Sequence, residues 1–364
     1  MAIKKREPLK KINPVGTGTP GDPKKVNMAL QGGGAHGAFT WGVLDAFCED
    51  GRIEIDGLSA CSAGAMNAVV YAYGRMQGGL DGARKALHDF WFDVSETAQH
   101  YTLFPNFPWQ DMLWGYRQMD VALSYWTLDT FTRTFSPYEF NPTNANPLRD
   151  ILNRHVDFPA MDKCRSTKLF LSATNVRTNK IRVFENHEMS ADAVLASACL
   201  PQIFQAVEID GEAYWDGGYM GNPALYPLIY NTKTDDIVIV HINPIVREEL
   251  PKTAAEISNR VNEISFNSSL LREMRSIDFA KRLVQDHMIK PEFRGHFQFN
   301  NLNMHSIRAD KVMREYTVAS KTNPDWEFLE ALRDQGRTLA HHWIARHIHQ
   351  IGRQSTVDLR EVFE

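Results

Sequence analysis

The stretch "VNMALQGGGAHGAF" constrains the chain most: an apolar run over residues 26–30 passes into Gly32, Gly33 and Gly34, and Gly37 follows. Glycine lacks a Cβ, so a loop built from it turns sharply and lets backbone N–H groups approach a bound anion. The spacing G-x-G-x-x-G fits a dinucleotide-binding turn, if a strand precedes it and a helix follows. The same N–H groups can instead face the developing negative charge of an acyl-transfer reaction. Both uses call for one local structure, a strand–loop–helix unit with the glycines at the strand's carboxyl end.

The chain beyond the loop keeps alternating. Residues 26–31 read as a strand, and residues 37–50 as a helix with Phe39, Val43, Leu44 and Phe47 on one side. "IEIDGLSAC" reads as a second strand. Residues 62–77, with Ala63, Ala65, Ala68, Val69 and Tyr71, read as a buried helix. Further strands are expected at "KLFLSATNV" and "DIVIVHINP". Strands rich in Val, Ile and Leu separated by helices predict an α/β fold, a mostly parallel sheet sandwiched by helices.

Composition narrows the class. Hydrophobic residues make up 43% of the 364 and charged residues 23%, as in a globular protein. A formal net charge of −4 speaks against a nucleic-acid partner held by bulk charge. Cys48, Cys61, Cys164 and Cys199 lie far apart with no C-x-x-C spacing. They read as reduced thiols of a cytoplasmic protein, not as a disulfide frame or a metal site. No apolar run is long enough to span a bilayer. Residues 1–27 carry seven basic residues against Glu7 and Asp22, an excess of five positive charges. With no apolar core behind the lysines this is not a secretory signal. It reads as a flexible basic tail over residues 1–26, or as a peripheral contact with an anionic membrane or granule surface.

Three further motifs bear on chemistry. A dinucleotide site needs an acidic residue about twenty positions past the glycines, and Glu54 and Asp56 meet that requirement. Next comes "SACSAGAMNA", with Ser62 between Ala60 and Gly64. This is the outline of a nucleophile elbow, G-x-S-x-G, with Ala60 in the first glycine's place. Finally, "AVEIDGEAYWDGGYMGNPAL" reads as a hairpin turning at Asp210 and Gly211 that delivers Asp216 into a Gly-Gly turn.

Taken together, these motifs make the chain resemble the patatin-like phospholipase family. "GGGAHG" resembles its oxyanion loop, "CSAG" its nucleophile turn and "DGG" its aspartate motif, and "AVLASACLPQIFQAV" is similar to the segment before the aspartate. The resemblance covers residues 26–244; beyond it there is a looser likeness to the C-terminal extensions of bacterial members. It implies a serine acyl hydrolase of phospholipase A or lysophospholipase type acting on a lipid or acyl-ester substrate. Its site would be a Ser62–Asp216 dyad with an oxyanion hole at Gly32, Gly33 and Gly34, with no cofactor and no metal. The 28 residues between Gly34 and Ser62 span one β-α-β unit, which puts both loops at one sheet edge. His36 departs from the family's usual Arg or Lys, and a neutral imidazole there would orient the loop, or draw an anionic head group, less well. Alternatives are an acyltransferase or intracellular polyester depolymerase with the same dyad, and a non-catalytic membrane- or granule-binding protein. His241, ending "DIVIVHI", permits a rival Ser62–Asp216–His241 triad.

The expected organisation is a catalytic domain over residues 27–245, an aromatic insertion or lid over 91–158, and a helical extension over 246–364. Half of the chain's eight tryptophans, Trp91, Trp109, Trp114 and Trp126, fall in the insertion. These aromatics can pack a helical subdomain or line an acyl-chain channel. In the extension, Leu332, Leu339, Trp343, Ile344 and Ile348 form one apolar side. It can cover the core or form a dimer face, so the oligomeric state stays open. His341, His342, His347 and His349 include no pair three or four apart, so a helix would not present two as metal ligands. Deleting residues 105–119 should lower activity on long-chain esters far more than on short soluble ones in parallel assays. Equal loss on both would assign the segment to fold support.

Overall fold

Neighbouring residues of the central strands face opposite ways and enter two different cores. Met28 and Leu30 belong to one apolar cluster and Ala29, between them, to another. Val238 and Val240 likewise part from Ile237 and Ile239. The period of two is the strand pleat, and continuous burial means that both faces are covered.

The computed structural model describes residues 23–101, 131–132, 134–286, 288 and 301–363. Its strands are β1 (Lys24–Leu30), β2 (Ile53–Ala60), β3 (Lys168–Asn175), β4 (Ile181–Glu185), β5 (Val207–Ile209), β6 (Glu212–Asp216), β7 (Asp236–His241) and β8 (Asn303–Arg308). All eight join one sheet. β3-β2-β1-β7-β8 run parallel, β4 and β6 pair antiparallel with β3, and β5 pairs with β6.

On one face lie α1 (Gly37–Asp50) and α2 (Ala63–Tyr101). α1 stops where Gly51, at φ +69°, turns its N–H back to the Phe47 carbonyl. α2 runs well beyond the expected residue 77, with non-helical backbone at Gly78 and Gly79. That second half carries Trp91 into the core, where its ring stacks on Trp41 at 6.5 Å and its N–H donates to Asn67 at 3.0 Å. Trp91 is therefore a packing residue. Trp109, Trp114 and Trp126 lie outside the described residues. Further along come α3 (Pro147–His155), α4 (Ala191–Ser197) and α5 (Tyr226–Asn231).

The C-terminal region is more than a helical attachment. It contributes β8, whose whole length pairs with β7 and extends the parallel sheet. Helix α6 (Ala254–Gln285) buries Leu270, Met274 and Ile277 on the second face. Helix α7 (Trp326–His347) packs Phe328, Leu332 and Ile344 on the first. α7 also crosses α1 at very close range. A Cβ on Gly42 would overlap the Arg333 carbonyl, and one on Gly336 would overlap that of Phe39. The four cysteines are free and buried, and among the described residues no helix is long and apolar enough to cross a membrane. Gly336→Val should force the helices apart and destabilise the protein by about 1 to 3 kcal/mol, the usual range for overpacking a tight contact. Thermal denaturation followed by circular dichroism reads this directly; an unchanged melting temperature would show that the crossing yields freely.

Candidate active site

One edge of β3 brings the candidate residues together. β2 runs parallel to β3 and ends with Ala60 opposite Leu171, whereas β6 runs antiparallel and ends with Asp216 opposite Ala173. β4 occupies the other edge of β3, so β2 and β6 point at each other along the same one. The residues just past β2 and at the end of β6 must then meet, and these are Ser62 and Asp216.

Ser62 sits in the left-handed region, at φ +55°, at the head of α2. Such a backbone is strained for a residue with a Cβ and needs support from its surroundings. Its N–H donates to the Ser197 carbonyl at 3.1 Å and to Ser197 Oγ at 3.0 Å. The elbow forms with Ala60 in the first glycine's position, as a buried strand residue. Gly64 is the position that matters sterically: a Cβ there would overlap the Leu30 carbonyl, where α2 passes close to β1.

Asp216 is fully buried. Its N–H donates to the Cys199 carbonyl at 2.8 Å, and its Oδ1 accepts from Gly218 N–H at 2.7 Å and from the Cys61 thiol at 3.4 Å. Its Oδ2 has no hydrogen-bond partner among the described residues. Burial pushes the carboxyl up to about 6; Gly218 N–H, the Ser62 hydroxyl, the Cys61 thiol and the Lys321 charge oppose that rise. The Ser62 hydroxyl thus favours the ionised carboxyl, and Oδ2 is the oxygen left open. An ionisable oxygen held open beside a serine is the arrangement that a general base needs.

The glycine loop abuts the serine. A Cβ on Gly32 would fall 2.6 Å from Ser62 Cβ. Gly32 N–H is already engaged, donating to Asn222 Oδ1 at 2.7 Å. The N–H groups of Gly33 and Gly34 make no hydrogen bond to a described residue, and the loop leads into α1. The loop is anchored from beneath by Gln31, whose Oε1 accepts from the N–H groups of Ile242 and Asn243 and whose Nε2 donates to Asn267 Oδ1. Glu54 and Asp56 lie far from the glycines, in the first half of β2, where Glu54 pairs with Arg75 at 2.7 Å.

The histidines divide clearly. His36 is buried with Nε2 against Ser320 Oγ at 2.7 Å, and burial followed by the Lys321 charge lowers it to about 3, so it stays neutral. His241 is buried, neither ring nitrogen has a partner among the described residues, and burial lowers it to about 4. It shares no hydrogen bond with Asp216 or Ser62. His341 pairs with Glu49 instead of a metal-ligand set, and the described residues contain no cluster suited to a metal ion.

Sequence reasoning missed five residues of this site: Cys61, Ser197, Asn222, Asn243 and Lys321. Ser197 and Cys199 belong to the "AVLASACLPQ" segment, which the structure shows to be the strut holding the Ser62 and Asp216 backbones together. Nothing local in the sequence marks Asn222, Asn243 or Lys321.

A model of the patatin-like phospholipase family matches residues 28–229, and the chain belongs to this family of lipid hydrolases. Solved structures similar to it include VipD from Legionella pneumophila, at 17% identity and a TM-score of 0.44, covering 89% of this chain and 67% of that one. Another is ExoU from the type III secretion system of Pseudomonas aeruginosa, in complex with SpcU, at 12% identity and a TM-score of 0.33. That match covers 89% of this chain and 53% of the other, so the chain spans about half the length of ExoU. A comparison with curated protein sequences found no match.

His241→Gln should retain most of the wild-type turnover in ester assays matched for folded protein by circular dichroism. A loss as complete as that of Ser62→Ala would establish the triad instead. The same variant should show a flatter fall in melting temperature on acidification. A histidine whose folded pKa is lowered from 6.5 to about 4 stabilises above 6.5 and loses that contribution as the pH falls toward 4.

Proposed function

We propose that the chain is a serine acyl hydrolase of lipid esters, of phospholipase A or lysophospholipase type, acting through a Ser62–Asp216 dyad. The observation that supports this best is the buried, unpaired Asp216 Oδ2 beside a serine held at positive φ at the head of a helix. Asp216 takes the proton of Ser62 Oγ as that oxygen attacks the ester carbonyl carbon. The carbonyl oxygen gains negative charge next to the glycine loop, where the N–H groups of Gly33 and Gly34 and the α1 N-terminus stabilise it. Gly32 acts in this reading through its close fit to Ser62, since its own N–H is held by Asn222. The protonated Asp216 returns its proton to the departing alcohol, leaving an acyl-serine. A water deprotonated by Asp216 then attacks the acyl carbon, the carboxylic acid leaves, and Ser62 regains its proton. Acyl transfer to another acceptor shares the first half of this sequence, so product analysis on a lipid panel separates it from hydrolysis.

Asp216 works as a base only when ionised, and its pKa is raised to about 6, so activity should rise with pH through a single ionisation near 6. Ser62→Ala and Asp216→Asn should each lower kcat by roughly a thousandfold or more. Labelling by a fluorophosphonate should vanish in Ser62→Ala. A carboxyl raised on folding stabilises fully only below its unfolded value of 3.8, and that contribution is lost as the pH rises through about 6. At pH above about 7 Asp216→Asn should therefore melt no lower than the wild type. Wild-type turnover in Asp216→Asn would sink the dyad.

A further inference from the structure

The segment after β8 crosses the carboxyl edge of the sheet and sets Lys321 against both halves of the site. Its carbonyl oxygen lies where a Cβ of Gly34 would be, and Gly34 has φ +59°, so chain and loop touch backbone to backbone. Its ammonium donates to Asn243 Oδ1 at 2.9 Å and to Asn262 Oδ1 at 2.8 Å. Asn243 passes the contact on, since its Nδ2 donates to the Gly32 carbonyl at 2.9 Å. The ammonium also stands 5.4 Å from the Phe266 ring centre. That ring presses on Gly218, whose N–H holds Asp216 Oδ1.

We propose that Lys321 is a positioning residue of the acyl-transfer site, a role that rests on the Ser62–Asp216 dyad proposed above. The C-terminal region supplies the cation that the glycine loop lacks, and this cation keeps the loop and the aspartate turn in register while its field favours ionised Asp216. The charged groups facing Lys321 support the assignment. Glu263, on α6, is already neutralised by Arg247 and Arg260. Among the described residues Asp216 has no ion-pair partner, and Lys321 is the cation whose charge lowers it. His36, in the glycine loop, is neutral and bonded to the neighbouring Ser320. Burial brings Lys321 itself down to about 8, with Glu263 and Asp216 opposing, so its charge fades in the mildly alkaline range.

The test uses the full chain as wild type, Lys321→Gln and Lys321→Arg, with fluorophosphonate labelling rates and hydrolysis of a soluble ester followed from about pH 5 to about pH 10. Lys321→Gln should lower kcat/KM by roughly tenfold, the scale of one lost charged hydrogen-bonding group, and move the acid limb to higher pH. Lys321→Arg should keep the rate and hold it above about pH 8, where the wild type declines. A Gln variant with unchanged rate and unchanged acid limb overturns the proposal, because a merely structural lysine moves neither limb selectively. If the Gln variant does not fold, the Arg variant decides: an alkaline limb displaced upward supports the role, and an unmoved one overturns it. A wild type that the probe fails to label at Ser62 would remove the dyad itself. A labelled wild type with an indifferent Gln variant would remove only the role of Lys321.

Discussion

The structure depends on keeping a carboxylate buried and incompletely paired next to a serine whose backbone is strained. Both features are costly in isolation, because a desolvated charge and a positive φ each oppose folding. They persist here because independent elements fix them. β3 acts as a common ruler, with β2 and β6 ending against it two residues apart. Ser197 and Cys199, two residues apart in one turn, then receive the N–H groups of Ser62 and Asp216. The placement of Ser62 beside Asp216 therefore follows from backbone pairing before any side-chain preference enters.

A second tier of polar contacts keeps the glycine loop beside Ser62 and Asp216. Gln31, Asn222, Asn243, Asn267 and Lys321 connect the loop to β7, to α6 and to the segment after β8. Hydrogen bonds of this kind in a low-dielectric interior are strong when all partners are present and costly when one is lost. This network explains why the C-terminal region is integral. β8 completes the parallel sheet, α7 locks onto α1 at Gly42 and Gly336, and α1 begins just after the glycine loop, with Gly37 against Ala63. A region that follows the family-matched residues 28–229 thus bears on the positions of the loop and the aspartate.

Burial also sorts the titratable groups. Desolvation raises Asp216 to about 6 and lowers His36 and His241 until they carry no charge near neutral pH. One physical cause therefore raises the carboxyl and leaves both histidines neutral. Loss of the Asp216 burial would return its carboxyl to the range of an ordinary surface acid.

By itself the sequence determined the layered α/β fold, the order of the first strands and helices, and the three turns at Gly32–Gly34, Ser62 and Asp216. These were legible because each is local: a period of two or of 3.6, or a position that admits only a small residue. The Asp210–Gly211 hairpin is of the same kind, with both residues at positive φ. The tertiary structure alone decided that Gly32 N–H belongs to Asn222, 190 positions away, and that Trp91 is core. It alone decided that the C-terminal region adds a strand, and that Lys321 reaches the site from 287 residues beyond Gly34. Such contacts join elements far apart in the chain, and their residues, a lone Asn, Lys or Ser, follow no spacing that periodicity can detect. Their roles come from where the sheet order places them and from the desolvation that this placement imposes.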